Sequence, residues 1–164
     1  TVVVTSLEGT RPILLEVQAL VGRSPYGTPR RTTLGIEGQR VAMLCAVLEN
    51  RGGYDFSGLD IFVNIAGGVR IQEPACDLGV ALALASALRQ QALGKQTVVV
   101  GEVGLSGEIR AVSSLAQRVA EVEALGFECC YVPACDLARK QATSSALELR
   151  GVSSLADALA MALH

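Results

Sequence analysis

Residues 77–100 read DLGVALALASALRQQALGKQTVVV, and this stretch decides the fold. From Asp77 to about Gln90 the residues are apolar on nearly every side of a helix, which is typical of a helix at the centre of a core. The β-branched run from Thr97 to Val100 predicts a strand that is buried on both faces of a sheet. A buried helix followed by a buried strand indicates a layered α/β or α+β fold.

The sequence before this stretch alternates between strand and helix patterns in the same way. Apolar residues at positions 41, 44, 45 and 48 share one face of a helix that ends at two glycines after a basic last turn. We predict, in order, strands at 2–5 and 13–21, a polar loop at 22–33, a helix from 39 to 53, and a strand at 61–66.

The sequence after this stretch continues the alternation. Glycines at 101, 104 and 107 indicate a tight turn, because their spacing differs from that of a dinucleotide-binding loop. Ser114 and Gln117 form a capping-box pattern at the start of a helix that Gly126 ends. A buried strand at 130–132 and a last helix that starts near Ser154 complete the prediction.

Length and composition favour one domain over residues 1–164. The chain is 50% hydrophobic, which argues against disorder, and its net charge of −2 excludes a polybasic nucleic-acid or membrane binder by bulk charge. We find no signal peptide and no segment long enough to span a membrane, so we expect a soluble, cytoplasmic protein. Because the chain begins in a strand pattern, we expect it to be excised from something larger.

The five cysteines, at 45, 76, 129, 130 and 135, suggest no metal site and no secreted disulfide framework. They have no C-x-x-C spacing and no neighbouring histidine to complete a zinc site. We interpret them as small buried hydrophobic residues in a reducing compartment.

Nucleotide binding and nucleophilic catalysis both lack their usual residues. The only Gly-Lys pair, at 94–95, has no following Ser or Thr, so the phosphate-binding loop is missing. Lys95 and Lys140 lie in polar stretches, and His164 is terminal, so none is a good catalytic base. Paired carboxylates at Glu73 and Asp77 are possible, although a loop acid and a helix N-cap explain them without catalysis.

Anion binding has a more specific signal. Arginines occur at 23, 30, 31 and 40, in the polar loop and in the first turn of the helix that follows it. A guanidinium group can donate two hydrogen bonds to one phosphate, so these residues suit a phosphate-tracking surface. A solvated loop explains these arginines equally well. Tyr26 is the only aromatic residue in this cluster, so the sequence gives little support for base stacking.

Several short motifs follow one another in a specific order. They are EGTRP at 8–12, PRR at 29–31, Arg40 before a Met-Leu helix, GGV at 67–69, EPACDL at 73–78 and GEVGLSGEIR at 101–110. In this order they resemble the C-terminal, Lon protease-like domain of the bacterial RadA (Sms) family of DNA repair proteins, over essentially the whole chain.

The resemblance implies the layered α+β fold of the Lon proteolytic domain, which is also that of ribosomal protein S5 domain 2. In that pattern the catalytic serine position falls on Asp77 and the catalytic lysine position falls on Ala116. A nucleophile without the lysine has nothing to activate it, so we expect no peptidase activity. An active serine-lysine peptidase with a rearranged pair is the alternative from the enzyme class.

The resemblance also implies a role in DNA recombination. Members of the family carry a zinc finger and a RecA-like ATPase that forms a ring on DNA and drives branch migration, so ATP and zinc belong to parts that are absent here. We expect this domain to help hold a ring, hexameric in the full-length protein, and to contact single-stranded or branched DNA. The implied partner is the recombinase RecA, and a pure ring scaffold without DNA contact remains the other alternative.

The candidate DNA-binding residues are Arg30, Arg31 and Arg40, which match the Pro-Arg-Arg motif and the helix after it. Arg23 and Arg70 are weaker candidates. Repetition of a modest basic face around a ring would add weak contacts through effective concentration.

Overall fold

The computed structural model describes residues 1–163, and the prediction about His164 lies outside them. Within this range, nine strands form two sheets: β1 Val2–Glu8, β2 Arg11–Arg23, β3 Arg31–Leu34, β4 Leu59–Ile65, β5 Thr97–Val99, β6 Glu102–Val103, β7 Ile109–Arg110, β8 Cys129–Pro133 and β9 Glu148–Val152. The main sheet has seven strands in the order β3-β4-β2-β1-β5-β8-β9, and β6 and β7 form a separate hairpin.

The main sheet is mixed, with an antiparallel half and a parallel half. β2 pairs antiparallel with both β1 and β4, so that Val17 is opposite Val2 on one side and Ile65 on the other. β3 pairs parallel with β4, and β1, β5, β8 and β9 pair parallel in series. This arrangement confirms the layered α+β class.

In the described part of the chain, five α-helices cover the sheet: α1 Gly38–Gly52, α2 Asp77–Arg89, α3 Leu115–Ala124, α4 Ala134–Ala138 and α5 Leu155–Ala162. One core cluster joins α1, α2 and α5 to one face of the sheet. A second cluster joins the apolar face of α3 to the opposite face of β5 and β8. None of the helices within residues 1–163 is long and apolar enough to cross a membrane.

Helix α2 lies at the centre of the larger core, as the sequence predicts. Its first nine residues, from Asp77 to Ala85, are all buried. Gly79 allows this close packing, because a Cβ atom there would lie 2.1 Å from Cγ1 of Val4 on β1. The helix therefore rests directly on the middle of the sheet.

Among residues 1–163, no helix covers the outer face of β3, β4 and the C-terminal part of β2, whereas α3 lies against β2 nearer its start. Leu20, Phe62 and Leu34 lie on this face with exposed fractions of 65%, 39% and 63%. Leu20 is opposite Phe62 in the strand register, and Leu34 is on the neighbouring edge strand. The sheet thus leaves one apolar half-face open.

Three local predictions are wrong. Residues 22–33 are not all loop, because β2 continues to Arg23 and β3 begins at Arg31. Ser114 makes no capping hydrogen bond, since it has a left-handed backbone with φ of 57°. Asp77 is the first residue of α2 and not its N-cap, and its carboxylate binds other partners.

Candidate functional site

A groove of about 490 Å³ lies between the N-terminal end of α1 and the segment that leads into α2. A single turn of 3-10 helix, Pro74–Cys76, brings the chain to the start of α2 at the floor of this groove. Its lining combines apolar and charged side chains: Ile36, Glu37, Arg40, Arg70, Ile71, Gln72, Glu73, Pro74, Cys76 and Asp77. The groove therefore contains Asp77, the residue that the sequence resemblance aligns with a peptidase serine.

Asp77 and Arg40 form a bidentate ion pair at the floor of the groove. Nε of Arg40 donates to Oδ1 of Asp77 at 2.7 Å, and Nη2 donates to Oδ2. The backbone N–H of Val103 donates to Oδ2 at 3.2 Å. Burial raises the pKa of Asp77, while the hydrogen bonds and charge of Arg40 oppose that shift. This pair joins α1 to the start of α2.

A second ion pair lies just behind the first. Arg118 on α3 is fully buried, and its Nη1 and Nη2 donate to the two carboxylate oxygens of Glu73 at 2.6 and 2.8 Å. Arg118 also donates to the carbonyl oxygens of Ser113 and Thr5. The N–H of Leu7 donates to Oε1 of Glu73 at 2.9 Å. This network fixes the start of α3 against β1 and the groove.

These contacts decide what the two carboxylates can do chemically. Glu73 and Asp77 each bind a different arginine, so they do not form a pair that shares a proton. Cys76 lies next to Asp77, but burial raises the pKa of its thiol to about 12, which keeps it protonated near neutral pH. The two paired carboxylates and the protonated thiol of Cys76 are therefore poor nucleophiles or bases at neutral pH.

Ala116, which the sequence resemblance aligns with a peptidase lysine, has no ionisable side chain. Ala116 is the second residue of α3 and is exposed. Lys95 and Lys140 are exposed, as predicted, and neither lines the groove. Among residues 1–163, no group of three or more His, Cys, Asp or Glu side chains could hold a metal ion.

Three of the predicted DNA-binding arginines come together around the start of β4. This strand lies between β2 and β3, so Arg23 is opposite Leu59 on one side and Arg31 is opposite Ile61 on the other. The intervening Arg30 donates its backbone N–H to Oδ1 of Asp60 at 2.7 Å. All three arginines are exposed.

The side chains in this basic cluster differ in their surroundings. The guanidinium group of Arg30 lies 5.6 Å from the ring centroid of Tyr26, which is itself 80% exposed. Arg31 lies close enough to Cys45 on α1 to oppose the effect of burial, which raises the pKa of that thiol to about 11. The cluster therefore presents three arginines and an aromatic ring near one end of the sheet.

The other two candidate arginines lie at the groove. Arg70 is exposed at the edge of the groove, and Arg40 forms an ion pair with Asp77. Strand β3 runs from the basic cluster towards the groove, and four residues of strand span about 13 Å. The five arginines thus form two groups at the two ends of β3.

Sequence reasoning did not identify Arg118 or its pairing with Glu73. One signal was available, because Arg118 occupies the apolar stripe of α3 together with Leu115, Val119 and Val122. A lone arginine on such a stripe must be paired if the helix is buried. The identity of its partner had no local signal, since Glu73 is 45 positions away.

Comparison with known proteins gives two kinds of match. Residues 32–136 match the family model described as subunit ChlI of Mg-chelatase. The chain is 46% identical over 161 residues to the DNA repair protein RadA of Halalkalibacterium halodurans, covering 98% of this chain and 35% of that protein. It is 44% identical over 154 residues to RadA of Escherichia coli, covering 94% of this chain and 33% of that one.

A third relative gives the same result. RadA of Brucella abortus is 50% identical over 131 residues, covering 80% of this chain and 28% of that protein. The chain therefore spans 28–35% of the length of these three relatives.

Proposed function

Because this chain belongs to the ChlI domain family and matches the C-terminal part of the DNA repair protein RadA, we propose that it acts in DNA repair and recombination without peptidase activity. Its fold is then that of the Lon proteolytic domain. The observation that carries the proposal is the Arg40–Asp77 pair, which takes the place of a nucleophile, with Ala116 where the lysine base would be.

The first part of the proposed role is DNA contact. Arg23, Arg30 and Arg31 are exposed near one end of the sheet, and none forms an ion pair within residues 1–163. Unpaired guanidinium groups can bind phosphates without first losing a carboxylate partner. Tyr26 adds a ring on which an unstacked base could lie, which favours single-stranded or branched DNA.

The groove arginines have a secondary place in this proposal. Arg40 keeps its Nη1 group free of the Asp77 contacts, and Arg70 is exposed near it. A strand of DNA that follows β3 would pass from the basic cluster to these two residues. We expect these two residues to contribute less to the DNA-binding energy, because the charge of Arg40 is already paired with the carboxylate of Asp77.

The second part of the proposed role is self-association into a ring, hexameric in the full-length protein. The open face of Leu20, Leu34 and Phe62 supports it, because contiguous exposed apolar side chains mark interaction surfaces. We assign this face to a second copy of the chain. In the longer protein the ring would carry a RecA-like ATPase that drives branch migration, with ATP and zinc bound outside this domain and RecA as partner recombinase.

The test is DNA affinity of the full-length protein after the double substitution Arg30→Ala and Arg31→Ala. We expect single-stranded DNA affinity to fall by at least tenfold at fixed salt, since each lost phosphate or base contact is worth about 1–3 kcal/mol. Arg139→Ala, which removes an exposed arginine beyond α4, is the matched control. Unchanged affinity of the double variant would support the pure scaffold and contradict the DNA role.

The peptidase alternative has a separate test. Digestion of casein that disappears when Lys95 or Lys140 is replaced would establish a rearranged pair. We expect no digestion by the unaltered chain, because both lysines are exposed and away from the groove.

A further inference from the structure

A second cleft, of about 220 Å³, lies where the C-terminal ends of α1 and α2 meet α5. Its wall on the α5 side consists of Ala156, Leu159 and Ala160 on the helix and Leu163 directly after it. The ring of Tyr54 lines the cleft from the other side. The lining is therefore mixed, since these apolar side chains lie beside Gln91 and two arginines, and no part of the proposed DNA or peptidase chemistry uses the cleft.

Two arginines stand at this cleft. Arg51 is in the last turn of α1 and Arg89 is in the last turn of α2, and both are exposed. Neither forms an ion pair within residues 1–163, and no acidic residue lines the cleft. The cleft thus concentrates two positive charges on a chain whose net charge is −2.

Both arginines are held in place by packing. The guanidinium group of Arg89 lies 4.3 Å from the ring centroid of Tyr54, a cation–π distance. The stem of Arg51 packs against Gly107, whose missing side chain leaves room for Cβ and Cγ of the arginine. Positioned guanidinium groups lose less freedom when they bind a ligand.

Helix stabilisation explains only part of this arrangement. A basic residue in the last turn interacts favourably with the negative end of its own helix. That effect acts on each helix separately, so it does not account for a shared cleft that places leucine and tyrosine side chains between the two arginines. The cleft is also smaller than the 300–1,000 Å³ or so that is usual for small-molecule and cofactor sites. Its size suits a single side chain.

We propose that this cleft is a docking site for an acidic segment of a protein partner. One apolar side chain of the segment fills the space between Tyr54 and the leucines of α5, and carboxylates on either side of it pair with Arg51 and Arg89. Tyrosine and arginine are the residue types enriched at such anchoring points. The mixed apolar and cationic lining favours a peptide over DNA, whose backbone offers phosphates and no apolar anchor.

The experiment uses a synthetic nine-residue peptide with one central leucine and four aspartates. The control peptide replaces each aspartate by asparagine. Binding to the isotopically labelled 164-residue chain is followed by NMR, through the backbone signals of Gly52, Tyr54 and Gln91. We expect these signals to shift with the acidic peptide, and at least tenfold weaker binding of the amide peptide.

Two variants separate the cleft from general charge attraction. The double substitution Arg51→Gln and Arg89→Gln is expected to weaken acidic-peptide binding at least tenfold, whereas Arg139→Gln leaves it unchanged. Ala160→Glu keeps both arginines but places a carboxylate beside them, so it is expected to block the peptide as well. Circular dichroism confirms that each variant is folded.

Three results would overturn the proposal. Equal binding of the two peptides, or no binding of either, would show that the cleft does not recognise an acidic segment. Binding that is unchanged in the glutamine double variant and in Ala160→Glu would place the peptide elsewhere. A single-stranded oligonucleotide that shifts the same signals at lower concentration than the peptide would assign the cleft to nucleic acid.

Discussion

Arg118 is a residue whose environment is unusual for its type. Arginine is almost never fully buried unless it is paired, and this one has no exposed surface. Its guanidinium group makes hydrogen bonds to Glu73, Thr5 and Ser113, so that β1, the groove and α3 depend on one side chain. The pair is therefore a structural anchor behind the Asp77 position.

Replacement of Arg118 by alanine is expected to lower the free energy of unfolding by about 3–5 kcal/mol, because it leaves Glu73 without its partner and opens a cavity. Urea denaturation followed by circular dichroism measures this. Arg110→Ala is the control, since Arg110 is more than half exposed and its contacts with Glu102 and Glu108 are 3.8 and 3.6 Å long. That change is expected to cost less than about 1 kcal/mol. Equal losses in the two variants would contradict the anchor.

The cysteines give a second prediction at this scale. Cys45, Cys76, Cys129 and Cys130 are buried, as the sequence predicts, and Cys135 is partly exposed. Burial raises the pKa of Cys76 and Cys130 to about 12, so their reactive thiolate is scarce at pH 8. Mass spectrometry after brief iodoacetamide treatment is expected to find Cys135 modified first. Early modification of Cys76 would show that the groove opens in solution.

Helix α2 packs closely against β1 at Gly79. Gly79→Ala would place a methyl group 2.1 Å from Cγ1 of Val4. The gain in helix propensity is about 1 kcal/mol, and overpacking costs about 1–3 kcal/mol or more. At so short a distance we expect a net loss of stability, visible as a lower melting temperature.

Two further variants test the cause of that loss. Gly38→Ala in α1 is the control, because its Cβ would lie 3.7 Å from Oγ1 of Thr33, an ordinary contact. It is expected to be neutral or slightly stabilising. Val4→Ala in the Gly79→Ala background removes the clashing methyl groups, so part of the lost stability should return. A double variant less stable than the sum of both changes would refute this packing.

The elements that the sequence predicts correctly are those with a strong local pattern. Helix α2 and strand β5 are apolar on nearly every side, as elements at the centre of a core must be. The missed strands β3 and β9 are edge strands with polar or glycine-containing sequences, RTTL and ELRGV. Their pairing comes from a neighbouring strand and not from their own composition. The five-residue α4 is too short for a period to be visible.

The sequence predicts one part of the candidate site and not the other. The assignments of Asp77 and Ala116 rest on motif order along the chain and remain predictions, although the structure does place Asp77 in the groove. The partners of the two carboxylates do not follow, because Arg40 is 37 positions from Asp77 and Arg118 is 45 positions from Glu73. Contacts between residues this far apart depend on the packing of complete elements.

At the scale of the whole molecule, the open sheet face is the surface that we propose for contact between copies of the chain. The single change Phe62→Asp places a charge between Leu20 and Leu34 on this face. If the face meets a second copy, the full-length protein is expected to lose its ring and to elute at a smaller mass in light-scattering chromatography. Gln18→Asp, on the same strand face, is the control for added charge at the margin. An unchanged mass for Phe62→Asp would place the contact between copies elsewhere.

The central claim is that this domain contacts DNA through the basic cluster, and the salt dependence of binding tests it most directly. The affinity of the full-length protein for single-stranded DNA is measured over a range of salt concentrations, with and without Arg30→Ala and Arg31→Ala. If both side chains contact phosphates, the slope of log affinity against log salt becomes shallower by about 1.4, or 0.7 for each lost contact. An identical slope in the double variant would contradict the claim, whatever the change in affinity.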